Sequence, residues 1–104
     1  MLDIRYLNEH PEIMQARVDA LVDGMAAYVF NRTSSIDVQS AASGTKALFM
    51  GVFLVAGDDA RAFAGGYLAA FTMLTHVAEN PMLSRDVAAV YQAAIQIMSG
   101  EVAS

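Results

Sequence analysis

Between Ala47 and Gly57 the chain carries no polar side chain, and between Ala62 and Ala78 only His76 can bear a charge near neutrality. A short joint, Asp58-Asp59-Ala60-Arg61, separates the two stretches. A spanning helix needs ~20 apolar residues with basic flanks. The first stretch is about half that long, and the second holds Gly65-Gly66, Thr72, Thr75 and His76, with one basic flank, Arg61. A buried helical hairpin is therefore expected, with no membrane span. Hydrophobic residues make up 56% of the 104 and charged residues 16%, against ~25% charged in an ordinary domain. So little polar material cannot cover an isolated globule of this size, which points to an association surface.

Helical punctuation divides the chain into four segments. Pro11 suits the first helical position, and the stripe Met14, Val18, Leu21, Met25 and Tyr28 predicts an amphipathic helix to about Phe30. Ser34 or Ser35 caps a second helix from Ile36 to about Ala56, continuous or jointed near Gly44. Asp58 or Asp59 opens a third, running to about Glu79, with Asn80 as its left-handed stop before Pro81. Ser84 caps a fourth that ends at Ser99-Gly100. Leu2, Ile4 and Tyr6 alternate with Asp3 and Arg5, a period-two pattern that predicts an extended arm. The expected fold is all-α: one domain over residues 1–104, four helices in antiparallel hairpins, assembled as a homodimer. Residues 1–9 form the N-terminal arm and 101–104 a frayed tail.

Chemistry is sparse. A net charge of −5, with six scattered basic residues, argues against nucleic acid, whose phosphates demand clustered Lys and Arg. The absence of cysteine rules out disulfides and thiolate catalysis and fits a cytoplasmic location, as does an N-terminus without the pattern of an export signal. His76 and Glu79 stand three apart, but a di-iron bundle needs the reverse order, Glu-x-x-His, twice. Ser43-Gly44-Thr45-Lys46 has the residue types of a phosphate loop without its spacing or its preceding strand. No catalytic, cofactor or metal residues are expected.

What remains is an interface. Lys46, Met50 and Phe53 share one face of the second helix, with Phe49 and Leu54 on neighbouring rows. Gly65, Gly66 and Ala69 make a smooth groove on the third, where another backbone can come close. Methionine and aromatic side chains are enriched at such contacts. The expectation is a non-enzymatic regulatory protein that binds and inhibits or modulates a protein partner: an antiactivator, anti-repressor or immunity-type inhibitor. The acidic face of the first helix (Glu12, Asp19, Asp23) is a second place for that partner to dock. The alternatives are a secretion chaperone or phage assembly escort, and a small ligand- or metal-binding bundle.

Overall fold

The computed structural model describes residues 3–56 and 60–100, and of residues 53–56 and 60 the backbone alone. Among the described residues the chain is all-helical, with five α-helices: α1 (Ile4–Glu9), α2 (Pro11–Thr33), α3 (Ile36–Ala56), α4 (Ala60–Val77) and α5 (Val87–Ser99), the last preceded by a 3₁₀ turn (Pro81–Asp86).

The N-terminal segment is a helix, which corrects the extended arm and the count of four. The Asp3 carboxylate accepts from the Tyr6 backbone N–H at 3.1 Å, capping α1. Ile4 and Leu7, three apart, are both buried, so the operative spacing is helical. Six residues are too few for sequence spacing to separate a period of two from one of 3.6.

α2 buries the expected stripe, Met14, Val18, Leu21 and Met25, with Val22, Ala26 and Val29 beside it, while Tyr28 is only half-buried. It closes on Ser34, left-handed at φ 58°, whose N–H donates to Phe30 O. α3 runs through Gly44 unbroken. The buried Thr45 hydroxyl just beyond it donates to Ala41 O at 3.0 Å, and Val38 and Phe49 anchor the two halves to the core. The stop of α4 lies one residue earlier than expected. Pro81 forces Asn80 out of helical space (φ −136°, ψ 75°), so the left-handed step falls on Glu79, at φ 57°. Ser84 is not a helix cap either. It lies within the 3₁₀ turn, its hydroxyl donating to Pro81 O, and the Asp86 carboxylate instead accepts from Tyr28 Oη at 2.7 Å. α5 ends at Gly100, left-handed at φ 78°, as the Ser99-Gly100 reading expects.

An aromatic series ties the bundle together. Phe49 of α3 lies 6.0 Å from Phe63 of α4, centroid to centroid, and Phe63 lies 6.0 Å from Tyr91 of α5. Tyr91 meets Tyr67 at 4.9 Å, Tyr67 meets Phe71 at 6.2 Å, and Phe71 meets Tyr28 of α2 at 6.1 Å. These are the distances at which tilted rings attract. Phe49, Phe63, Tyr67, Phe71 and Leu74 of the two charge-poor stretches therefore face inward. The radius of gyration, 12.9 Å, is what a self-contained chain of this length has, about 13 Å.

Candidate interaction surface

The core sorts the expected interface residues. Phe49 has no exposed surface within a single chain, so its place is the core and not a contact with another molecule. Met50 is half-buried and packs against that core. Lys46 belongs to a contact within the subunit. Its Nζ lies 3.0 Å from Asp23 Oδ1 and 3.9 Å from Asp19 Oδ1, pairing α3 with α2. The hydrogen bond to Asp23 raises the Lys46 pKa. The acidic face of α2 is thus partly neutralised from inside the molecule, and the Lys46–Met50 line turns towards α2. The side chains of Phe53 and Leu54 lie outside the described residues.

The three small residues of α4 separate in the same way. A methyl group added at Gly66 would lie 2.9 Å from Val52 Cγ2. Gly66 is therefore a point of close approach between α3 and α4, a contact between helices as expected, but an internal one. Gly65 and Ala69 are exposed. Around Gly65 nothing comes within 4 Å of such a methyl group, and the same holds at Gly44 and Gly51 of α3.

The outer side of the α3–α4 hairpin follows from that separation. On α3 the exposed positions Gly44, Ala47, Leu48 and Gly51 recur at helical spacing, and on α4 Gly65, Leu68 and Ala69 do the same. Leu48 is 40% exposed and Leu68 50%. Neither group contains a charged side chain. Leu48 and Leu68 were not among the residues expected from the sequence. Seven-residue spacing of Gly44 and Gly51 around Leu48 was the available signal.

Two apolar grooves flank α5. One, of about 300 Å³, lies between α2 and α5 over Leu21, Gly24, Met25, Val90, Ala93 and Ile97. The other, of about 270 Å³, lies between α4 and α5 and includes Tyr67, Leu68, Tyr91 and Gln92. Burial raises the pKa of the Tyr67 and Tyr91 hydroxyls, and the hydrogen bond to Asp86 raises that of Tyr28. Among the described residues no three His, Asp or Glu side chains gather as a metal site, and no helix is long and apolar enough to cross a membrane. His76 is exposed at the end of α4, and His10 Nδ1 lies 2.8 Å from Tyr6 O.

Compared with family models, curated proteins and solved structures, the chain matches none. Its functional reading rests on its own geometry.

Proposed function

We propose that this chain is a non-enzymatic regulatory protein of the cytoplasm, which works as a homodimer and acts by binding and modulating another protein. One observation carries the reading: the outer side of the α3–α4 hairpin, where Leu48 and Leu68 stand among Gly44, Ala47, Gly51, Gly65 and Ala69 with no charge between them. Exposed apolar patches of this continuity mark interaction sites. Among the described residues the core takes in none of these positions, so the face is available for contact. A net charge of −5 keeps the proposed partners away from nucleic acid and towards proteins.

A photoreactive benzophenone side chain at position 68, irradiated in the native cell, tests it. The expected result is a covalent adduct with another polypeptide that is absent when the same group replaces Gln15 on α2. No adduct at position 68 would overturn the reading.

The escort reading has one observation in its favour. The grooves beside α5 are sized for apolar side chains of a client helix, and Met25 in the floor of the larger is a flexible filler. A client that reaches these grooves would protect Ala93 and Gln92 from solvent exchange and leave Leu48 unchanged.

A further inference from the structure

We infer that α5 is a strap that opens as one unit while α2, α3 and α4 stay folded, and that its opening joins the aromatic surface beneath it to the exposed Leu68. The inference goes beyond the reading of the α3–α4 face and does not depend on what occupies that face.

Packing sets α5 apart. Of its 13 residues, Ala94 and Met98 alone are buried, whereas α4 buries the heavy side chains Phe63, Tyr67, Phe71 and Leu74. Val87, Val90, Tyr91, Ile95 and Ile97 reach the core but stay half-buried. Space is left along both flanks of the helix, about 300 Å³ beside α2 and about 270 Å³ beside α4. A helix seated between two grooves forfeits dispersion contacts on both edges. It also carries no Asp, Glu, Lys or Arg, so no ion pair ties it down. Few buried apolar side chains mark a segment that opens below the free energy of global unfolding.

Fastenings at the two ends hold α5 in its seat. At the start, Tyr67 Oη donates to Val87 O at 3.3 Å, and Tyr28 Oη donates to the Asp86 carboxylate at 2.7 Å. At the far end the Arg17 guanidinium clasps the last turn. Its Nη1 donates to Met98 O at 2.9 Å, and its Nη2 lies 2.7 Å from where a Cβ on Gly100 would stand. The segment before α5 suits a pivot. The Pro81–Asp86 turn buries no residue, and Met82 within it is 61% exposed. Hinges are short stretches at the ends of elements, where backbone angles change without disturbing a core.

Opening parts the Tyr91 ring from Tyr67, 4.9 Å away, and from Phe63, 6.0 Å away. Leu68 lines the α4–α5 groove together with Tyr67. With α5 gone, apolar surface runs from Leu68 across Tyr67 to Phe63. With α5 seated, that surface is hidden. Alone in water the open form is the minor one, because it exposes this row and the inner side of α5 together. A partner that covers the row binds the open form alone, and so raises its population.

Native-state amide exchange of the full chain, followed by NMR at low urea, tests the inference. The amides of Tyr91, Ala94 and Ile95 should share one opening and exchange at least about a hundredfold faster than those of Val22 on α2 and Leu74 on α4. Arg17→Met, which keeps an apolar stem and removes the clasp, should quicken the α5 amides about tenfold and leave Leu74 unchanged. Ala93→Leu places bulk in the larger groove and should slow the same amides severalfold. One common rate and one urea dependence for α2 and α5 would overturn the inference, because α5 then opens only as the whole chain unfolds. Rates that climb steadily from Tyr91 towards Ser99 overturn it too, since they describe a fraying end. So does Arg17→Met quickening Leu74 as much as Ala94, and so do α5 rates that neither variant moves.

Discussion

Gly65 and Gly66 are neighbours in sequence with opposite prospects. At Gly66 an added methyl group meets the stiff, branched Val52 at 2.9 Å. Overpacking of that kind costs ~1–3 kcal/mol, and the gain of ~1 kcal/mol in helix propensity offsets only part of it. Gly66→Ala should therefore lower stability, while Gly65→Ala, open to solvent, should raise that of the isolated subunit by ~0.5–1 kcal/mol. Urea unfolding midpoints of the two variants, measured at equal protein concentration, decide the point. Equal shifts would mean that α3 and α4 do not meet at Gly66. Phe49→Ala removes a wholly buried ring and should cost ~3–5 kcal/mol in the same experiment. A cost below ~1 kcal/mol would return Phe49 to the surface. Composition identified these residues as important without revealing which way each points. An all-apolar helix offers no polar face for orientation, and the partner of Lys46 is a carboxylate on another helix.

At the scale of elements, the long helices were legible and the short ones were not. The α2 stripe repeats through about four turns, from Met14 to Val29, and proline and glycine mark the start of α2 and the end of α5. α1 spans 6 residues, too few to repeat anything, and it opens on a single side-chain cap, Asp3. Asp3→Ala should remove ~1 kcal/mol of local stability. Amide exchange at Leu7, whose N–H donates to Asp3 O at 3.2 Å, should then quicken while Val22 of α2 stays protected. Unchanged exchange at Leu7 would show that burial of Ile4 and Leu7 suffices to hold α1. The 3₁₀ turn could not be foreseen from Ser84, because serine is common in both caps and tight turns. At the other end of the chain, Arg17 Nη1 donates to Met98 O at 2.9 Å, holding the last turn of α5 to α2. That bond spans 81 residues and left no trace in local sequence.

For the molecule as a whole, the shifted groups share a sign. Tyr28 titrates above its ordinary 10.0, first through the hydrogen bond to Asp86 and then through burial. Burial raises Tyr67 and Tyr91, and Asp23 raises Lys46. Each group holds its proton more tightly folded than unfolded. Its contribution to stability is therefore complete below the unfolded value and is lost as pH rises through the folded one. Unfolding free energy should be flat in these groups below about pH 10 and fall above it. Tyr67→Phe, which has no proton to lose, should make that decline shallower. A decline equally steep in the variant would remove Tyr67 from the account. The same rings give the protein an optical signature. With four tyrosines, five phenylalanines and no tryptophan, its near-ultraviolet signal comes from phenol and phenyl groups alone. Tyr67 on α4 and Tyr91 on α5 are close enough, at 4.9 Å, for their transitions to couple. Seating of the last helix thus has a spectroscopic reporter built from native residues, and its loss can be timed in a stopped-flow cell without attaching a dye.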